Sequence, residues 1–152
     1  MRFGPPLFWL GVSLWVGGLA ALAFAAPTIF RTAGSRESAG IIFGNVLRSF
    51  SRVEIVCALL SVAGLVMMWN RPAPLVDQIR AGLLGLMIAM LVVLQAWIVP
   101  AMEELRPRMP DSEPDRARFQ KLHVVSENLY KVELLAGLAL IALSAWGPRR
   151  PA

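Results

Sequence analysis

The chain has 152 residues, of which 57% are hydrophobic and only 16% charged, and its mean hydropathy is +0.60. Soluble domains carry about 45–50% apolar and about 25% charged residues, so an integral-membrane class replaces the soluble globular one. The net charge is +5, but the Lys and Arg residues sit between apolar runs and not in one basic stripe, which marks juxtamembrane charge and excludes a nucleic-acid surface.

Helix 1 is predicted over residues 7–26, opened by Pro5 and Pro6 and closed by Pro27. Arg2 followed by an apolar run and Ala23-Phe24-Ala25 imitates a cleavable signal peptide. The length of the run favours a retained helix, as does the ladder Gly17, Ala21, Ala25, whose spacing lets helices approach closely. Ser35 then reads as an N-cap with Glu37 in the first turn. Ile42, Val46, Leu47 and Phe50 share one face, with Asn45, Arg48 and Arg52 on another. That pattern predicts an interfacial amphipathic helix before helix 2 or continuous with it.

Helix 2 is expected over residues 53–70, ended by Arg71-Pro72. Its uncharged part is short of the about 20 residues that a bilayer requires, which draws Glu54 into the membrane. The single Cys57 reads as a small buried hydrophobe. Helix 3, residues 81–102, carries a Gly82, Gly85, Ala89, Ala96 stripe for close packing, and Pro100 should bend it or loosen its last turn. Residues 103–121 alternate acids and bases among three prolines. Without His or Gly at ligand spacing, this is a solvated connector and not a metal loop.

Helix 4, residues 122–146, ends in an uncharged stretch of residues 134–146, again too short to span alone. At about 100° per residue, His123, Ser126, Glu127, Tyr130, Lys131 and Glu133 fall on one arc of roughly 160°. In a four-span chain the starts of helices 2 and 4 lie on the same side. Glu54 therefore meets the helix 4 group in one leaflet, joined from helix 3 by Gln95 and Trp97. Trp9, Trp69, Trp97 and Trp146 mark interfaces, and Trp15 beside Gly18 reads as bundle packing. The expected fold is all-α: a single-domain four-helix transmembrane bundle. Loop 1, between Pro27 and Val53, and loop 3, residues 103–121, hold nine Lys or Arg and the opposite side five, so the termini are expected outside and the pocket towards the cytoplasm, in an inner (plasma) membrane.

Ionisable groups at membrane depth point to function, and the expectation is a pocket that binds or passes a small ion or polar solute. Glu127 and Lys131 stand at i, i+4 in the favourable order, which in a low dielectric also serves simply to pair them. A second expectation is a non-catalytic subunit or scaffold, whose small-residue stripes bind a membrane partner or another copy of the chain. A third is a haem or copper site shared across an oligomer through His123, weakened because one His falls short of a ligand set. No nucleophile-base pair, Gly-rich phosphate loop or paired-carboxylate signature is present. Enzyme is the weakest class, and no cofactor is expected.

Trp15-Val16-Gly17-Gly18, Ile42-Phe43, Trp97 with Pro100, and above all Phe119-x-x-Leu122-His123-x-x-Ser126 resemble the small membrane proteins related to transmembrane protein 205, whose bacterial members carry domain of unknown function 4149. The resemblance implies a four-span bundle and draws attention to His123 and Ser126, without supplying a reaction. Family members often have Asn a turn after that Ser, where this chain has Tyr130. A fainter similarity to four-helix copper-resistance and haem-oxidase proteins lacks their extra histidines.

Overall fold

The computed structural model describes residues 3–69, 74–109 and 111–146; the expected stop at Arg71-Pro72 lies outside them, as does the side chain of Trp146. The fold is all-α, with no strand among the described residues. Helix α1 is Gly4–Thr32 and α2 is Arg36–Met68. Helix α3, Leu75–Val93, runs through a π-helical turn, Leu94–Ile98, into α4, Val99–Leu105, and a short 3-10 turn, Arg106–Arg108. Helix α5 is Glu113–Trp146. Four long rods result. Three of them, α1, α2 and the rod Leu75–Arg108, are long and apolar enough to cross a membrane.

The rods are longer than the sequence pattern suggests. Helix α1 does not stop at Pro27 but continues to Thr32. Proline removes one backbone bond, yet in apolar surroundings the neighbouring peptide groups still have no better partner than the helix itself. Past it, Arg31 Nε donates to Pro27 O (3.2 Å) and Thr32 Oγ1 to Thr28 O (2.8 Å). The amphipathic stretch is continuous with α2, and Ser35 caps it as expected, accepting from Ser38 N at 3.1 Å. Pro100 loosens the turn before it: Val99 N–H reaches back five residues to Leu94 O, the bonding of a π turn. Helix α5 begins at Glu113, not near residue 122. Its acid-base alternation supports helical turns, with Arg116 paired to Glu113 at 3.0 Å and the Ser112 hydroxyl accepting from Asp115 N at 3.4 Å.

Helix α1 is the hub, packed along α2 on one side and against α5 on the other, while α3 leans on α5 and touches α2 only thinly. Phe8, Val12, Trp15 and Val16 of α1 are buried among Cys57 of α2, Leu84 and Met87 of α3, and Leu140 of α5. Between lipid-embedded helices the hydrophobic effect gives little drive, so close backbone approach has to hold the pair. Gly4, Gly11 and Gly18, seven residues apart, supply that approach. A Cβ at Gly11 would lie 2.6 Å from Cys57 O and 2.9 Å from Ser61 N, and one at Gly64 2.7 Å from Gly4 O and Phe8 Cα. A seven-residue repeat keeps one seam facing a partner along a supercoiled pair. The expected ladder through Gly17, Ala21 and Ala25 is not this seam, since Gly17 faces open space and Ala21 is exposed. Gly82 and Gly85 of the helix 3 stripe also face open space.

The seam makes a contrast measurable in detergent. Gly11→Leu should destabilise the protein by about 1–3 kcal/mol, the usual cost of overpacking, whereas Gly17→Ala should stay within about 0.5 kcal/mol of the parent. Thermal unfolding of both variants checks this.

Candidate functional site

Helix α5 sorts its polar residues into two rows. The outer row steps by four: Phe119, His123, Glu127, Lys131. The rings of Phe119 and His123 stack at 6.3 Å, and the Arg106 guanidinium lies 5.9 Å from the Phe119 centroid. His123 Nε2 is 3.3 Å from Glu127 Oε1, and Lys131 Nζ 3.8 Å from Glu127 Oε2. The three side chains are 39%, 52% and 68% exposed, so these are surface pairs of small energetic consequence. The inner row holds Ser126, Tyr130, Glu133, Gly137 and Leu140, with Ser126, Glu133 and Leu140 one heptad apart and all buried.

Glu133 is fully buried, and so are Glu54 of α2 and Trp15 of α1. Two contacts bring them together. Gly137, one turn beyond Glu133, seats α5 on Val16 of α1, and Gly11 and Gly18 seat α1 on the stretch of α2 from Phe50 to Ser61 that contains Glu54. The Trp15 indole N–H faces both carboxyls but closes a hydrogen bond of ordinary geometry with neither. All four carboxyl oxygens and Trp15 Nε1 are buried without a hydrogen-bond partner among the described residues. Half-buried Tyr130 stands within electrostatic reach of both carboxyls, and Cys57 lies one turn from Glu54 on the same face. Trp15 sits in the middle of the stretch of α1 that is uncharged between Arg2 and Arg31. The carboxyls thus lie deeper than residue counting along α5 suggests.

No cation offsets this pair: among the described residues, the ion pairs of the fold engage Asp77, Glu103, Glu104, Glu113 and Glu127, and neither Glu54 nor Glu133. Two adjacent negative charges stripped of water and of counter-charge repel each other while each forfeits its hydration. No group of three or more His, Cys, Asp or Glu side chains is placed to hold a metal ion among the described residues.

The remaining expected site residues lie elsewhere. Ser126 is buried, but its hydroxyl donates to His123 O at 2.8 Å within its own helix. Gln95, in the π turn, lines an open apolar groove with Ile55, Leu91, Val92 and Ala96. Trp97 is 64% exposed on the outside. The structure therefore brings together Glu54, Tyr130 and Glu133, leaves His123, Glu127 and Lys131 as a surface ladder, and adds Trp15. The sequence did carry a signal for Trp15, because an indole N–H far from either interface has to find a partner inside the protein. A largely buried ion pair escaped the sequence reading: Asp77 and Arg80, 2.8 Å apart, with the guanidinium 5.7 Å from the Trp9 ring. Its spacing of three on one helix was the available clue.

The chain matches the family described as "Domain of unknown function (DUF4149)" over residues 10–111, and it belongs to that family. The matched stretch contains Trp15 and Glu54 and ends before α5, so Tyr130 and Glu133 lie beyond it. No curated protein and no solved structure matches the chain.

Buried groups lacking partners are held against stability. Replacing buried ionic groups by apolar ones of similar volume commonly stabilises a fold by about 1–4 kcal/mol. Glu54→Met combined with Glu133→Met should therefore unfold at a higher temperature than the parent. A lower transition would mean that the carboxyls hold structural bonds.

Proposed function

We propose that this member of the DUF4149 family is a four-span protein of the inner (plasma) membrane that binds, and by binding can pass, a small cation at Glu54 and Glu133. One observation carries the reading: two fully buried carboxyls from α2 and α5 meet beside Trp15 with no protein counter-charge among the described residues. Ionisable groups in membrane segments are rare, face the bundle interior and mark ion pathways and proton relays. The same burial supports α5 as the fourth span, because Glu133 is shielded by protein and Glu127 is paired at its other edge. The likeness to transmembrane protein 205 relatives agrees with four spans. The exposed Arg48 and Arg52 suit the leading turns of α2 to a lipid headgroup layer. The role is non-catalytic.

A second reading, a scaffold or subunit that binds a membrane protein or another copy of the chain, is favoured by Gly82 and Gly85, which face open space. It entails co-purification with a partner in mild detergent and no ligand-dependent thermal shift. His123 is engaged by Phe119 and Glu127 in the outer row, so no observation favours a haem or copper centre.

In proteoliposomes, Glu54→Gln with Glu133→Gln should abolish cation binding and flux, while Glu127→Gln with Lys131→Met should leave both within about twofold, as for other exposed pairs. Loss only in the second variant would return the site to the outer row. Nine basic residues on the side of loops 1 and 3 against five opposite put the termini outside. A reporter fused after Ala152 should accordingly be found on the non-cytoplasmic face.

A further inference from the structure

We propose that the cation held at this site is a proton, shared between the Glu54 and Glu133 carboxyls; the proposal rests on the cation-binding reading above and names its ligand. The first argument is the backbone. Membrane sites for sodium and similar ions draw on carbonyls freed where helices are broken, but Glu54, Glu133 and Trp15 all lie inside continuous helices, Arg36–Met68, Glu113–Trp146 and Gly4–Thr32. The π turn at Leu94–Ile98 turns Gln95 towards the apolar groove instead. The second argument is the donor set. Hard cations take about six or more oxygen ligands, whereas the residues here offer two carboxyls and one phenol, beside a Cys57 thiol that suits softer metals.

The third argument is the direction of the indole. Trp15 Nε1 can only donate. Aimed at the same oxygens, it competes with a bound metal cation but complements an acid-carboxylate pair, whose spare lone pairs accept from it. Two carboxyls in one dry site cannot both stay ionised, and one proton, held by either carboxyl, removes the repulsion between them. The other groups around the pair do not change this balance. Helix α1 presents Trp15, α2 presents Cys57, α5 presents Tyr130, and α3 adds the apolar Leu84, Met87 and Leu91 to the buried layer. Lys131, Arg48 and Arg52 lie on exposed faces. Tyr130, half-buried and one turn from Ser126, leads from Glu133 towards the outer surface of the bundle, which gives the proton a route to water. Uptake adds one proton to one carboxylate and releases none, and no covalent bond to carbon changes.

Infrared spectroscopy on the full chain in sodium-free lipid nanodiscs tests the assignment. The parent should show the carbonyl stretch of a protonated carboxyl, shifted in deuterium oxide and titrating with pH. Glu54→Gln and Glu133→Gln should each remove or shift it, Glu127→Gln should not, and added sodium, lithium or calcium should leave it in place. Disappearance of the band on adding sodium at constant pH would overturn the proton and leave the cation-binding reading standing. A band that ignores pH wherever the protein stays folded would overturn both. Carbodiimide labelling of the parent, read by mass spectrometry, gives an answer that does not depend on the variants folding. A hydrophobic carbodiimide should modify Glu54 or Glu133 and lose reactivity at alkaline pH, and modification confined to Glu127 would refute the shared proton.

Discussion

The backbone contact between α1 and α2 is the constraint from which the rest follows. In hydrocarbon, apolar side chains lose little by facing lipid, so two helices stay together through dispersion and close fit. Gly11 opposite Cys57 and Ser61, and Gly64 opposite Gly4 and Phe8, remove the side chains that would hold the backbones apart. Once that seam is closed, the face of α2 that looks at α1 is fixed over its length, and Glu54 has no rotation left that would take it to lipid or water. Gly137 does the same for α5 against Val16. The carboxyl pair is a consequence of three helices docking on glycine, with Trp15 between them.

Buried hydroxyls accompany the pair along the bundle. Towards the loop 1 and loop 3 end lie Ser51 and Ser126, both buried, whose hydroxyls donate to Arg48 O and His123 O at 2.8 Å. A hydroxyl bonded to its own helix is inexpensive to bury, and it leaves lone pairs facing the interior. Beyond them Arg48 pairs with Glu103, closing that end between α2 and α4. In the other direction Phe8, Val12, Leu65 and Leu140 surround one more buried hydroxyl, Ser61, which donates to Cys57 O at 2.7 Å, until Asp77 and Arg80 at the far end. Hydroxyls bonded to their own helices thus flank the pair on both sides, and none of them bonds to its carboxyls.

Much of this was legible in the sequence, and the failures have a common cause. Composition and the apolar runs announced helices and a membrane, Ser35 announced its cap, and Glu54, Tyr130 and Glu133 were all marked by polarity in apolar surroundings. Depth and facing were not legible. The arc that gathers His123, Glu127, Lys131 and Glu133 is wide enough for one edge to face protein and the other to face outward, and only the docking of Gly137 on α1 decides which edge is which. The same limit hid the seam: Gly17, Ala21 and Ala25 satisfy a spacing of four as well as Gly4, Gly11 and Gly18 satisfy a spacing of seven. Sequence shows that small residues repeat, but not where the partner lies. Trp15 reads as packing in the sequence although its indole N–H, far from either interface, already needs a partner; which acids face it becomes visible only when they are placed.

Helix α5 shows what an averaged hydropathy leaves out. Among the described residues three helical segments pass as membrane spans on length and composition, and α5, whose described side chains end at residue 143, is not among them. Its mean counts Glu127, Lys131 and Glu133 alike, although they meet different surroundings. Glu133 faces α1 and α2 and is fully buried, so its cost is set by the protein interior. Glu127 takes His123 on one side and Lys131 on the other, and long side chains at such a position reach towards the headgroups. What α5 turns outward past that ladder is Val132, Leu135, Leu138 and Ile141, a surface that lipid accepts. The polarity of α5 is therefore distributed by the assembled bundle: Glu133 lies buried where the helix docks on α1 and α2, and Glu127 and Lys131 stay on the exposed face.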